Sequence, residues 1–229
     1  MFDLQGYGPL LLQGAKLTIY VGVCSMVIAI GLGLVGVLGQ LSKSPVVRFL
    51  VTTYTTVVRG IPELVLILLV YYGVPTLIQD ISAASGSPVY VALDPFISGT
   101  ATIGFIYGAF STEVFRGAYL AVPRGQIEAA RACGMSGALT FRRITLPQMM
   151  RYALPGLGNV WMVLIKATAL ISVIQLPELM RSADIAAKNT RMPFTFFLAA
   201  SLIYLAITII SNIVQQWAEK RTSRGVRRA

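Results

Sequence analysis

The feature that most constrains this chain is the length of its uncharged apolar stretches. No Asp, Glu, Lys or Arg interrupts residues 17–42, a run of 26 residues. An α-helix rises about 1.5 Å per residue, so about 20 helical residues cross the roughly 30 Å hydrocarbon core of a bilayer. The run is therefore long enough to span a membrane as a helix. It is too long for the apolar core of a signal peptide, so a retained helix is expected.

Composition supports an integral membrane protein. The chain is 55% hydrophobic and 12% charged, whereas soluble domains carry about 25% charged residues. The formal net charge of +10 could indicate a nucleic-acid partner. The basic residues, however, lie between apolar runs and in a short C-terminal tail, where the positive-inside bias of membrane proteins puts them. No nucleic-acid partner is expected.

The chain lacks the residues that several kinds of catalytic, metal-binding and nucleotide-binding site require. The chain has no His and only two Cys, Cys24 and Cys133, which are far apart in apolar or Ala/Gly-rich surroundings. A His-ligated metal site, a Ser-His-Asp triad and a disulfide framework are therefore not expected, and both cysteines are predicted to be buried and inert. No phosphate-binding loop of the G-x-x-x-x-G-K-[ST] type occurs, so no ATP site of that type is expected in this chain.

The apolar runs predict an all-α bundle of five membrane helices in a single domain, residues 1–229. The second helix is the hardest to place, because a polar interruption follows the apolar segment 49–58. Pro62 suits the first turn of a helix, and Glu63 suits the positive end of the helix dipole. We therefore expect the second helix to begin near Ile61 and residues 49–58 to form an interfacial segment. The expected spans are about 17–42, 61–79, 96–121, 152–176 and 194–217.

The basic residues predict the orientation. Five spans place the two ends of the chain on opposite sides of the membrane. Lys and Arg are concentrated in the tail and in the loops after the first and third helices, whereas residues 80–95 contain none. The positive-inside rule thus predicts an N-terminus outside the cell and a C-terminus in the cytoplasm.

The loop at 122–151 has an unusual pattern. Glu128-Ala129-Ala130 is followed after three residues by Gly134, and nine residues later a segment ends at Pro147. The pattern predicts a short helix, a break at Gly134, a second helix and a stop at Pro147. Ser136 is the expected cap of that second helix. The residues alone leave two interpretations equally open: an amphipathic loop on the membrane surface, or a docking site for a partner.

With this spacing the loop resembles the EAA motif of ABC-importer permeases. Residues 54–65, 113–125 and 166–172 are also typical of the polar amino acid branch, and 141–156 is similar to permeases of histidine and lysine–arginine–ornithine importers. The resemblance implies a type I importer permease with a cytoplasmic coupling helix. It implies these ATPase-coupling residues: Glu128, Ala129, Ala130, Gly134, Ile144, Leu146 and Pro147. One departure is Ala167, where many relatives carry Asp.

The same resemblance implies the partners. Such a permease pairs with a second, related permease or with itself, and the pair sits on two copies of an ATPase subunit. The ATPase binds ATP and Mg, so no cofactor is expected in this chain. A periplasmic binding protein delivers the substrate, and the permeases form the path for amino acids, here expected to be basic ones (histidine, arginine, lysine, ornithine).

Three residues are candidates for the translocation path. Lys166 lies midway along the fourth helix, and an ionisable residue within a span is a functional candidate. It could meet a substrate carboxylate, or it could be a structural lysine bonded to neighbouring carbonyls or reaching an interface. Gln175 and Glu178 lie at the outer end of that helix and are weaker candidates. Glu178 could equally be a solvated loop charge.

Other polar residues have structural interpretations. Glu113 and Arg116 are three residues apart on the third helix and are expected to pair rather than to meet substrate. Tyr71, Tyr72 and Tyr107 are expected at the membrane interface or in helix packing.

Two other classes of protein remain as alternatives. A secondary transporter or channel would be expected to have repeated halves and paired intramembrane acids. A membrane enzyme would need catalytic groups, and the chain has no His and few intramembrane carboxylates. Uptake that needs ATP hydrolysis and survives loss of the proton gradient would exclude the secondary transporter.

Overall fold

A computed structural model describes residues 4–85, 87 and 89–222 of the chain, and the elements within these residues are all helical. The helices are α1 (Gly8–Gln40), α2 (Pro45–Gly60), α3 (Glu63–Leu68), α4 (Val74–Ala84), α5 (Pro95–Leu120), α6 (Arg124–Ala132), α7 (Gly137–Thr140), α8 (Leu146–Ala167), α9 (Leu179–Thr190) and α10 (Pro193–Thr222). Two π-helical turns, Leu69–Gly73 and Phe141–Thr145, join α3 to α4 and α7 to α8. A 3₁₀ helix, Thr168–Ile174, follows α8.

Four helical runs in the described residues are long and apolar enough to cross a membrane. They are Gly8–Gln40, Glu63–Ala84, Gly137–Ile174 and Pro193–Thr222. The expected third span coincides with α5, which has 26 residues but is rich in Gly, Ser and Thr. Helix α5 can be this polar because α1, α2, α3 and α8 pack around it. Because these neighbours cover α5, it would expose little surface to lipid. It therefore does not need the high mean hydropathy of a helix on the outside of the bundle.

Small residues bring α1 and α5 close together. A Cβ added to Gly33 would lie 2.6 Å from the Cβ of Ser111, and one added to Gly36 would overlap Thr112. Glycine at these positions lets the two backbones approach within a distance that larger residues would prevent. The contact fixes α1 along the length of α5, which is the central helix of the bundle.

The second membrane helix is preceded by a helix of its own rather than by an irregular segment. Residues 45–60 form α2, which covers the expected interfacial segment. Ile61 and Pro62 are extended, with ψ of 137° and 133°, and α3 begins at Glu63. A residue before proline disfavours the helical region, so the chain leaves α2 here and restarts the helix two residues later. The interruption is narrower than the polar segment 59–63, because Arg59 and Gly60 still belong to α2 and Glu63 already begins α3.

The predicted stop at Pro147 is wrong. Pro147 lies in the first turn of α8, directly after a π-helical turn, and the helix continues to Ala167. Pro75 follows the other π-helical turn in the same way. A proline ring clashes with the carbonyl four residues earlier, and a wider turn relieves that clash without ending the helix. The fourth membrane helix is therefore part of a run that begins well before residue 152.

The prediction of two buried cysteines is also wrong. Cys24 is half-buried on α1, and Cys133 is exposed. Cys133 is the residue at which α6 ends, and its small neighbours belong to a surface loop rather than to the core. No cluster of metal-ligating side chains occurs in the part of the chain that the structure describes.

Candidate functional site

A cavity of about 480 Å³ lies at the break between α2 and α3. It is lined by Val58, Arg59, Gly60, Ile61, Pro62, Glu63, Leu64, Phe110 and Leu170. Three elements supply the walls: the chain reversal from α2 to α3, the central helix α5, and the 3₁₀ helix that follows α8. Most of the lining is apolar, and two side chains of opposite charge stand within it.

The helix break keeps these two charges apart. Arg59 lies in the last turn of α2, and Glu63 lies in the first turn of α3. Four residues apart on one helix, they would face each other and pair. The extended Ile61 and Pro62 remove that geometry. Among the described residues, Arg59 and Glu63 form no ion pair with each other or with any other side chain.

Two aromatic residues of α5 contact the charged pair. The Tyr107 hydroxyl donates a hydrogen bond to Glu63 Oε1 at 2.8 Å, and the Tyr107 side chain is buried. The Arg59 guanidinium lies over the Phe110 ring, 5.2 Å from the ring centroid, in a cation–π contact. The two rings stack with centroids 5.5 Å apart and planes inclined by 30°. The cavity thus presents a held carboxylate and a held guanidinium to a ligand.

Lys166 is exposed near the end of α8. Leu170, one helical turn further along the chain, lines the cavity. Asn159 and Val163 are exposed at helical spacing before Lys166, so the three share one uncovered face of α8. In the described residues Lys166 has neither a hydrogen bond nor an ion pair, which removes the alternative of a lysine bonded to carbonyls within this chain.

Gln175 ends the 3₁₀ helix in the left-handed conformation, with φ of 67°. This conformation is uncommon for a residue with a side chain and costs about 1–3 kcal/mol. The Gln175 side chain is exposed. Gln175 therefore marks the sharp end of the run that began with α7, and it lies five residues from cavity-lining Leu170.

Glu178 is fully buried, so it is not a solvated loop charge. Its carboxylate caps α9 by accepting hydrogen bonds from the backbone N–H groups of Met180 at 2.9 Å and Arg181 at 2.8 Å. It also accepts from the hydroxyls of Tyr204 at 3.1 Å and Thr18 at 3.4 Å. Burial raises the pKa of the Glu178 carboxyl above its usual range, and these hydrogen bonds lower it in part. Glu178 joins α1, α9 and α10 and is not among the residues that line the cavity at the α2–α3 break.

The predicted pairing of Glu113 with Arg116 is confirmed, at 3.2 Å. Gln40, at the end of α1, donates a second hydrogen bond to Glu113 at 2.8 Å. The carboxylate therefore ties α1 to α5 and is not available to a ligand in the cavity.

The loop at 122–151 contains two short helices with a glycine between them. Glu128 and Ala129 are exposed on α6, whereas Ala130 is buried. Gly134 has φ of +79°, and no atom lies within 4 Å of where its Cβ would be. Its left-handed backbone allows α6 to end and the chain to turn, at a place that is open to a partner. Ser136 caps α7 by accepting from the Leu139 N–H, as predicted.

The rest of the motif lies where the loop enters α8. Ile144 belongs to the π-helical turn and Leu146 begins α8, and both are half-buried. Leu146 packs against a core cluster that includes Phe115 of α5. Pro147 is exposed in the first turn of the helix. These residues therefore connect the loop to the bundle rather than form its exposed tip.

Comparison with known proteins decides the family. The family described as "Binding-protein-dependent transport system inner membrane component" matches residues 26–224. The chain belongs to this family. It is a permease subunit of the amino acid ABC transporter type and not itself an enzyme, since ATP hydrolysis belongs to a separate subunit.

Individual relatives of this permease match along nearly the whole chain. The histidine/lysine/arginine/ornithine transport system permease protein HisQ of Escherichia coli (strain K12) is 44% identical over 226 residues, which are 99% of each chain. The octopine transport system permease protein OccQ of Agrobacterium tumefaciens (strain Ach5) is 44% identical over 99% of this chain and 96% of that protein. The arginine ABC transporter permease protein ArtQ of Haemophilus influenzae is 36% identical over 94% of both chains.

Solved structures agree on the fold. The crystal structure of an amino acid ABC transporter with histidines has a TM-score of 0.83 at 29% identity, over 96% of this permease and 99% of that chain. An inward-facing structure of the MetNI methionine ABC transporter has a TM-score of 0.70 at 15% identity, over 95% of this permease and 98% of that chain. The second likeness supports the fold alone.

The charged pair of this permease escaped notice in the sequence. From the sequence, Arg59 and Glu63 mark only a helix boundary, and Tyr107 is expected at the membrane interface or in helix packing. A signal was present, because two opposite charges flank a proline within an otherwise apolar region, and ionisable residues in such regions mark functional sites. The contact between Glu63 and Tyr107 joins residues 44 apart in sequence, and no local pattern predicts it.

Proposed function

We propose that this chain forms one half of the translocation path of an ABC importer for basic amino acids, and that its cavity contacts the substrate. The observation that carries the proposal is the charged pair in the cavity. At neutral pH an α-amino acid carries a carboxylate and an ammonium group on one carbon. Arg59 is suited to bind the carboxylate, and Glu63 is suited to bind the ammonium.

The energetics favour a ligand between these charges. In this chain alone Arg59 is exposed and Glu63 is half-buried. Once a second permease covers them, each charge would cost several kcal/mol unless it is paired. Arg59 has only the face of a ring beside it, and Glu63 has only a neutral hydroxyl. A zwitterionic ligand would satisfy both charges at once, and the apolar walls around them would strengthen each interaction by excluding water.

The relatives support basic amino acids as the substrate class. HisQ is named for histidine, lysine, arginine and ornithine, and ArtQ is named for arginine. Lys166 follows on the uncovered face of α8 that leads away from the cavity, and we assign it to the path as a contact for the substrate carboxylate. Gln175 is exposed five residues after cavity-lining Leu170, and it is a candidate contact for substrate beyond that wall. Glu178 is left out of the path, because its oxygens are already occupied.

The membrane arrangement in this proposal has five spans, with α5 as the third and the termini as predicted. Lys220 and Arg221 then lie at the cytoplasmic end of α10. The loop at 122–151 lies on the same side of the membrane. Arg221 stacks over exposed Trp217, a pair suited to the headgroup region of a bilayer. The protein is a multi-pass component of the bacterial inner membrane.

The partners in this proposal follow from the exposed surfaces. Helix α6, with exposed Glu128 and Ala129, and the open turn at Gly134 form the coupling surface that enters a groove of the ATPase subunit. A second permease, related or identical, covers the uncovered faces of α2, α3 and α8 and completes the path. A periplasmic binding protein delivers the substrate. ATP and Mg bind to the ATPase dimer and not to this chain.

Ligand binding to the purified complex tests the substrate site. The complex, extracted in detergent without binding protein, is titrated with L-arginine, with agmatine, which lacks the carboxylate, and with Nα-acetyl-L-arginine, which lacks the ammonium. Arg59→Gln should weaken arginine binding and leave agmatine unchanged. Glu63→Gln should weaken arginine binding and leave the acetylated compound unchanged. Arg48→Gln, at the other end of α2, is the control for loss of a positive charge.

The expected size of each loss is about 10- to 100-fold, since a hydrogen bond to a charged group contributes about 1.5–3 kcal/mol. Arginine affinity that is unchanged in both cavity variants would refute the assignment of the cavity. Equal losses for arginine and both analogues would refute the assigned roles of the two charges.

A further inference from the structure

Tyr107 and Phe110 lie three residues apart on α5, and each contacts one member of the charged pair. We infer that these two aromatic residues are positioning residues that hold Glu63 and Arg59 apart, so that the pair stays open to substrate. The inference rests on the proposed function of the cavity and assigns a determinant of its affinity. Tyr107 is 2% exposed and does not line the cavity, so it acts through Glu63 and does not itself touch a ligand.

The alternative arrangement of the two charges would close the site. Arg59 and Glu63 are separated by three residues, and both side chains are long and flexible enough to meet across the turn. A direct ion pair between them would neutralise both charges and leave nothing for a zwitterion to bind. Any ligand would then have to break that pair, and the free energy of breaking it would be subtracted from binding.

Two separate contacts prevent that pairing. The hydroxyl of Tyr107 holds one oxygen of Glu63 at 2.8 Å, on the side of the carboxylate that faces α5. The ring of Phe110 holds the Arg59 guanidinium at 5.2 Å, and the Tyr107 ring stacks on Phe110. Both contacts come from one helix, so α5 sets the positions of the two charges, which lie on either side of the break between α2 and α3.

Preorganisation of this kind raises affinity, because the cost of ordering two long side chains is met during folding. The hydroxyl deletion Tyr107→Phe keeps the ring and its stacking on Phe110 and removes only the hydrogen bond. Phe110→Leu keeps an apolar side chain and removes the ring beneath Arg59. Each variant should therefore change one half of the pair while the helix packing remains.

The experiment measures the Kd of L-arginine and of its analogues for the purified complex without binding protein. Tyr107→Phe should raise the Kd of L-arginine about five- to tenfold, as expected for one hydrogen bond, and leave that of Nα-acetyl-L-arginine, which lacks the ammonium, unchanged. In the Glu63→Gln background the same change should raise the Kd by less than about twofold. Phe110→Leu should weaken the binding of arginine and leave agmatine unchanged.

The matched control is Tyr54→Phe. The Tyr54 hydroxyl also bonds to α5, at the Phe105 carbonyl and 2.6 Å away, but it does not touch the charged pair. An unchanged Kd in Tyr54→Phe supports the inference, and a rise equal to that of Tyr107→Phe overturns it. If Glu63→Gln weakens binding and Tyr107→Phe does not, the inference is wrong and the cavity assignment stands. If Glu63→Gln itself binds arginine normally, both are wrong.

Discussion

Removal of the Glu178 carboxylate is expected to destabilise the outer end of the bundle. Its oxygens accept hydrogen bonds from two backbone N–H groups of α9 and from the hydroxyls of Tyr204 and Thr18. Glu178→Ala would leave these donors buried without an acceptor. Loss of a helix cap costs about 0.5–2 kcal/mol, and each further hydrogen bond contributes about 0.5–1.5 kcal/mol. The expected loss in the free energy of unfolding is about 3–4 kcal/mol.

A graded series separates the contributions. Glu178→Gln keeps one oxygen as a cap and should lose about half as much, because it cannot accept on both sides at once. Tyr204→Phe removes a single hydroxyl and should cost about 1 kcal/mol. The assay measures the apparent melting temperature of the detergent-purified complex. Size-exclusion chromatography after heating gives the fraction of the complex that remains intact at each temperature. A loss of 3–4 kcal/mol corresponds to a decrease of about 6–16 °C for a chain of this size.

The order of the series tests the reasoning. The expected order of destabilisation is Glu178→Ala, then Glu178→Gln, then Tyr204→Phe. If Glu178→Ala melts at the wild-type temperature, Glu178 does not hold α9 in place. If Glu178→Ala folds normally but loses transport, Glu178 belongs to the translocation path and is not a structural contact between α1, α9 and α10.

Three further predictions concern transport and assembly. Lys166→Met should reduce uptake while the complex still assembles. The control Lys188→Met removes an exposed lysine that pairs with Asp184 at 2.7 Å, and it should leave uptake unchanged. Normal uptake by Lys166→Met would remove Lys166 from the path. Gly134→Asp should abolish copurification of the ATPase, because a side chain strains the φ of +79° and blocks the open turn. Thr222→Asp adds the same charge at an exposed position of α10, outside the coupling surface, so retention of the ATPase by that control and its loss in Gly134→Asp would locate the contact. Uptake should require ATP hydrolysis and survive collapse of the proton gradient, and uptake without ATP would favour the secondary transporter.

The sequence predicted the helix positions that depend on the length of an apolar run or on a proline. The uncharged run at 17–42 lies largely within α1, and Pro62 lies at the break before Glu63, because length and backbone sterics act locally. The stop at Pro147 failed because a π-helical turn can accept a proline, and that choice depends on how Leu146 packs against the bundle. Local patterns could not decide it.

The site was less predictable than the helices. The sequence leaves Glu178 as a path candidate or a solvated loop charge, and only the folded chain brings Thr18 and Tyr204 to it from 160 and 26 residues away. Tyr107 looked like a packing residue, and its role depends on a partner 44 residues earlier. Contacts between distant segments determine what these polar side chains do, and a single sequence carries no direct record of such contacts.

Continuity through Pro147 has a consequence for coupling. Since the helix does not stop there, the proposed ATPase-coupling turn and the cavity wall are two ends of one helical run, residues 137–174. The run has 38 residues and is about 57 Å long at the rise of an α-helix. Three places in this run depart from a regular α-helix: the π-helical turn Phe141–Thr145, Pro155 inside α8, and the 3₁₀ segment that contains Leu170. A displacement of the coupling turn would therefore be carried along α8 and be absorbed at those places, one of which lines the cavity. An ATPase that moves the turn would then change the shape of the substrate site directly, without a separate relay through the rest of the bundle.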